Sequence, residues 1–267
     1  MPSGKVVPSP IFVALVVATI ASAAHLASTK AEGLFSSGGL IGFDPSLNTR
    51  LSLFVFVALA WVVSLTFHEF GHAFTAWKGG DYTVASKGYL NLDPRKYTDP
   101  GLSLLLPMVF LLMGGIGLPG GAVWIQTNLI ASKWMRSLMS LAGPLTNLAF
   151  AFVALVPIRL GIVDSDRYGL MVGLAFVGFL QISAFVLNMI PMPGLDGFGA
   201  LEPHLSRELS LQFRQVGRNG FLILIAVLWF WKAANRAFFD FVFWIFELSG
   251  VDSSLAIDGL RAFQFWN

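Results

Sequence analysis

The sequence predicts an all-α polytopic membrane protein with about five to six transmembrane helices, a re-entrant segment and a short membrane-associated β-strand or hairpin. Three observations predict it. First, 55% of the 267 residues are hydrophobic and only 12% are charged, and the mean hydropathy is +0.72. An average soluble domain is about a quarter charged. So few charges cannot cover a water-soluble globule of this size, which argues against a soluble enzyme, a disordered chain or a nucleic-acid-binding protein. Second, the charges are spaced so that they bound long uncharged runs. Third, glycine and proline clusters interrupt two of those runs. The net charge of +2 and the pI near 9.0 come from few groups, so their positions matter more than their sum.

A bilayer core about 30 Å thick needs about 20 apolar residues per helix. Residues 6–29 lie between Lys5 and Lys30 and give a first helix over 9–29. Lys5, the apolar run and Ala21-Ser22-Ala23 also resemble a signal peptide with its cleavage site; a retained helix is the preferred reading. Residues 51–67 follow Arg50 and run into His68. Residues 100–132 form the longest uncharged run, 137–158 lie between Arg136 and Arg159, and 168–195 end at Asp196. The last region, 219–247, is interrupted by Lys232, Arg236 and Asp240. It fits either one helix plus an interfacial amphipathic helix or a helical pair. There is no internal repeat and no polar stretch long enough for a soluble accessory domain, so 1–267 reads as a single membrane domain.

The chain has no Cys, so a transition-metal site must draw on 4 His and 15 Asp and Glu. The second run ends in His68-Glu69-Phe70-Gly71-His72, which is His-Glu-x-x-His. On a helix, residues four apart share a face. His68 and His72 can therefore offer two imidazoles to one zinc ion, with Glu69 beside them as a base for water. The bland alternative is two core histidines and a solvated glutamate. It fits badly in a transmembrane helix, where ionisable groups are costly and usually functional. From Arg50 to His68 the helix rises roughly 27 Å at about 1.5 Å per residue, so the motif lies inside the hydrocarbon region.

A third ligand should also sit at membrane depth. Asp196 is the leading candidate, in Asn188-Met189-Ile190-Pro191-Met192-Pro193-Gly194-Leu195-Asp196-Gly197. The prolines and glycines prevent a continuous helix. A broken backbone at membrane depth must be buried in protein or line a wet cavity. The alternative is an ordinary loop aspartate just outside the membrane.

His68-Glu69-Phe70-Gly71-His72, followed by Asn188-x-x-Pro191-x-x-x-Leu195-Asp196-Gly197, resembles the site-2 protease family of intramembrane zinc metalloproteases. Ala142-Gly143-Pro144-Leu145-Thr146-Asn147 is similar to that family's Gly-Pro-x-x-Asn signature. The resemblance covers about 51–200, the catalytic core, and is to the compact form without PDZ or CBS domain. It implies one zinc ion per chain held by His68, His72 and Asp196, and Glu69 as catalytic base. It also implies a membrane-protein substrate cut within or near a transmembrane segment. After Gly197 the family usually continues with Gly and a basic residue, where this chain has Phe198-Gly199-Ala200. An ion- or proton-coupled transporter using the same His, Glu and Asp would explain the polar residues but not their spacing. An inactive relative that only binds membrane segments would lack a ligand or Glu69, and none is missing.

Topology can be checked without the family. For His68 and Asp196 to share a metal, segments 51–76 and 169–190 must run parallel, with an odd number of crossings between them. Segment 137–159 supplies one. The run 100–132 must therefore enter and leave on one side. That gives a membrane-dipping helix over 101–113, a turn at Gly114-Gly115 and Gly117–Gly121, and an extended piece over 121–126. The last could pair with an unwound substrate by strand addition, or simply be a connecting loop. Counting Lys and Arg, and leaving out Lys232, Arg236 and Arg261 in and beyond the undecided last region, ten lie on the side of the motif ends and four on the other. The positive-inside rule then puts the metal end toward the cytoplasm, in a multi-pass protein of the plasma (inner) membrane. Asn147 lies roughly 16 Å into the bilayer. It could hold substrate backbone or join helices through its amide. Asn188 could cap the carbonyls freed at the break or face substrate. His25 and His204 read as bystanders. The expected partners are the substrate and the lipid bilayer, with no nucleic acid.

Overall fold

The computed structural model of the protein describes residues 6–29, 45–97, 123–217 and 220–266. In order, these form α1 (Pro10–Ser28), α2 (Leu47–Lys78), α3 (Thr83–Ser86), α4 (Lys133–Arg159), α5 (Tyr168–Asn188), α6 (Asp196–Leu201), α7 (Arg207–Val216), α8 (Gly220–Phe230), α9 (Lys232–Glu247) and α10 (Ser253–Phe263). Short 3-10 turns lie between some of them, and no strand is found among the described residues. Three of the long helices start at a serine cap. Ser9, Ser46 and Ser132 each accept a backbone N–H from the first turn of α1, α2 and α4. Four helical stretches are long and apolar enough to cross a membrane: α1, α2, α4 and 165–188, which contains α5. α8 and α9 would supply a fifth if counted as one span; they are bent by 97° around Trp231. The protein is thus an all-α polytopic membrane protein. Of the predicted piece 121–126, residues 123–126 pair with no strand. The predicted dipping helix 101–113 and its glycine turn lie outside the described residues.

Residue pairs between helices give the directions. Phe56 meets Gly173, and Ser64 accepts a hydrogen bond from Gln181 at 2.7 Å. Farther along, His68 and His72 meet Asp196. The numbers rise together, so α2 and α5 are parallel, as the topology of the sequence requires. Between α2 and α4 they run oppositely, with His72 bonded to Met139 and His68 to Asn147. α4 is therefore antiparallel to both, and the three helices surround one axis.

α5 is the centre of the bundle: 78% of its membrane window is buried, against 11% for α1. A helix apolar all round belongs in such a position. α10 returns to cover it. Phe263, fully buried, lies 5.5 Å from the Phe176 ring and 5.0 Å from the Phe54 ring, joining α10 to α5 and α2. In the 219–247 region two helices, α8 and α9, are found. Its second member is amphipathic, with Phe238, Val242 and Phe246 buried and Lys232, Arg236 and Asp240 exposed.

Candidate metal centre

His68 and His72 lie on one face of α2, both buried. Each ring is tethered through Nδ1. His72 Nδ1 is 2.7 Å from the Met139 carbonyl oxygen, and His68 Nδ1 is 2.6 Å from Asn147 Oδ1. A carbonyl oxygen only accepts, so the ring proton sits on Nδ1 and Nε2 keeps its lone pair. The two Nε2 atoms are 3.1 Å apart. With both protons spent elsewhere, that approach is not a hydrogen bond between neutral rings; it sets two lone pairs side by side. Asp196 completes the group, with Oδ2 3.3 Å from His68 Nε2 and Oδ1 3.3 Å from His72 Nε2.

This donor set fits a metal. A tetrahedral zinc ion with bonds of about 2.0–2.1 Å separates its donors by about 3.3 Å. The three residues match that spacing, and they form the one such cluster among the described residues. Gly143 of α4 lies directly against the two imidazoles. A Cβ built there would lie 2.2 Å from His72 Nε2 and 2.6 Å from His68 Nε2, so only glycine lets α4 approach the two imidazoles this closely.

Asp196 reaches the histidines because the chain breaks after α5. Residues 189–195 turn back, and α6 starts at Asp196 itself. Gly197 allows this, since a Cβ there would lie 2.3 Å from the Met189 carbonyl oxygen. Ser137 and Ser140 of α4 meet Ala200 and Gly199 and hold α6 against the bundle. Asp196 is thus half-buried, with its carboxylate turned toward the two histidines.

Glu69 is buried beside the ligands, and its Oε2 accepts the Val123 N–H at 3.1 Å. Asn147 is a link between helices, but one with a specific end: its oxygen orients His68. Among the described residues, no carbonyl is hydrogen-bonded by the Asn188 side chain. Asn188 is buried and lines a small cavity with Trp61, Ser64, Leu65, His68, Asn147 and Ala184, with room for about one water. Trp61 Nε1 finds no hydrogen-bond partner. His25 is exposed on α1, and His204 contacts Ser137 and the Trp134 ring, so neither joins the cluster. The Met139 carbonyl, the Val123 N–H and the spacing role of Gly143 could not be assigned from sequence. The only signal was Gly143 standing one helical turn before Asn147.

Comparison with known proteins agrees with this chemistry. The chain is 44% identical over 260 residues to a Mycolicibacterium smegmatis protein named "Putative zinc metalloprotease Rip2", covering 97% of this chain and 95% of that one. A protein of the same name from Mycobacterium tuberculosis is 44% identical over 262 residues, with the same coverage. "Putative zinc metalloprotease YwhC" of Bacillus subtilis is 28% identical over 200 residues, 69% of this chain and 84% of that one. No protein-family model matches the chain, and no solved structure does.

Proposed function

Since this chain belongs to the site-2 protease family of zinc metalloproteases, we propose that it hydrolyses a peptide bond within or near a transmembrane segment of a membrane-protein substrate. The observation that carries this is the convergence of His68 and His72, in a helix long enough to span the membrane, with Glu69 and Asp196. His68, His72 and Asp196 would hold one zinc ion. When bound, zinc supplies a Lewis acid that polarises a carbonyl and brings the pKa of water toward about 7.

The rest is done by the chain. Asn147 and the Met139 carbonyl keep both imidazoles in the Nδ1–H form, with Nε2 turned inward. Glu69 takes a proton from the attacking water and passes it to the leaving nitrogen. A substrate helix hides its carbonyls in its own hydrogen bonds, so it must unwind before attack. Residues 123–126 run past Glu69 and offer a backbone edge on which the unwound segment pairs by strand addition. The ten basic residues on the metal side, against four opposite, favour a plasma-membrane protein with this end toward the cytoplasm.

The test is cleavage of a single-pass membrane substrate by the purified protein, with zinc measured on the same sample. Glu69→Gln is expected to keep zinc and lose cleavage by about 100-fold or more. Undiminished cleavage by this variant would sink the proposal. Cysteine labelling within 78–97 tests orientation; reaction only from outside reverses it.

A further inference from the structure

After α2 the chain turns through Gly79 and Gly80 and buries Asp81 completely. A buried carboxylate needs its oxygens hydrogen-bonded. Asp81 Oδ1 accepts the Thr83 N–H at 3.0 Å and the Thr83 hydroxyl at 2.6 Å, a local turn of its own segment. Oδ2 does something different. It accepts the Gln126 N–H at 2.7 Å, 45 residues along the chain. Close by, Lys87 Nζ donates to the Trp124 carbonyl at 2.6 Å.

In extended chain, the N–H and C=O of one residue point to one edge, and those of the next residue to the other. Residues 123–125 follow that alternation, up to the N–H of Gln126. The side chains of Val123 and Ile125 pack together on the cluster that includes Ala73, Ala76 and Ile130, while Trp124 is 75% exposed. The Trp124 carbonyl and the Gln126 N–H therefore share an edge, and Asp81 and Lys87 occupy it. Val123 and Ile125 form the opposite edge, where the Val123 N–H reaches Glu69.

We infer that Asp81 and Lys87 are positioning residues that stand in for a partner strand. They hold the far edge of 123–126, so that the near edge meets Glu69 and the substrate backbone in one register. The inference rests on the protease reading above and adds to it what sets the cut position. A strand tied on one side by a buried carboxylate and an ammonium cannot slide, and a slide of one residue would turn every side chain to the other face.

The test uses the full-length protein and the single-pass substrate, with cut positions mapped by mass spectrometry and zinc measured in parallel. Gln126→Pro removes the N–H that Asp81 accepts while keeping Asp81 in its local turn. Lys87→Met removes the ammonium but keeps the stem. Asp81→Ala removes the carboxylate, and the two milder variants answer the question if it fails to fold. Each is expected to retain zinc. Gln126→Pro should lower kcat/KM by about 100-fold, the scale of an ångström of misplacement at a reacting centre. Lys87→Met should lower it less, and both should spread a single cut over neighbouring bonds. Wild-type rate and a single unchanged cut position in both would overturn the inference alone. Loss of rate with the cut position unchanged would also overturn it, by reducing these residues to general stability. Failure of the wild-type protein to cut would overturn the protease reading, and this inference with it.

Discussion

The same three helices, α2, α4 and α5, are built differently on either side of the Ser64–Gln181 hydrogen bond. Toward Arg50 and Arg159 the buried residues are apolar apart from Thr49: Leu53, Phe56, Val57, Leu155, Val172 and Phe176, closed over by Phe263 of α10. Toward Lys78 and Lys133 the buried set includes His68, Glu69, His72, Ser140, Asn147 and Asn188. The glycines differ in the same way. Gly178 and Gly259 admit neighbouring side chain and backbone, Leu155 and Val172, so that helices pack closely. Gly143 admits two imidazole nitrogens of the polar site. One end of the bundle holds the fold together, and the other holds polar groups in place through specific partners. Packing in the apolar half is what allows the polar half to be an imperfect core.

That contrast can be broken from either side. The largest effect is expected from Asp196→Ala or His72→Ala, which leave two donors and should abolish zinc binding and cleavage together. A variant that keeps stoichiometric zinc would refute the ligand set. Next is Gly143→Ala. The added methyl meets both Nε2 atoms, so zinc content should collapse although alanine favours the helix; metal analysis of the purified protein decides it. Asn147→Ala should be milder, weakening zinc affinity by about 10- to 100-fold, as loss of a partner behind a metal-ligating histidine does. A competition titration with a chelator reads this directly, and unchanged affinity would leave Asn147 as simple helix–helix contact. The smallest effect on chemistry should come from the apolar half. Phe263→Ala removes a fully buried ring and should lower stability by about 3–5 kcal/mol. It should leave one zinc per folded chain, and loss of zinc in the folded fraction would show that the two halves are not separate.

The predicted spans and the recorded ones agree closely because the signal is local. Arg50, Arg136, Arg159 and Arg167 bound apolar runs, and α2, α4 and α5 fill them. Gly and Pro between 189 and 195 predicted a break, and the break brings Asp196 inward. The helical pair α8–α9 was less legible. A stripe of Phe238, Val242 and Phe246 with charges opposite fits an interfacial helix as well as a packed one, and the contact of Phe243 with Phe179 of α5 is what the structure adds. Asn147 was legible as important but not as the partner of His68.

By itself, the sequence determined the membrane class, the spacing that puts His68 and His72 on one face, the candidacy of Asp196 and the parallel course of α2 and α5. These follow from helical periodicity and from the cost of charge in hydrocarbon, which act on residues near one another in the chain or on simple counts of crossings. The tertiary structure alone decided which atom each imidazole proton faces, why residue 143 has no side chain, and that Asp81 reaches 45 residues ahead to Gln126. Those are contacts between elements. They depend on how far apart two helices pack and which sides they turn to each other, and no pattern within either segment carries that distance.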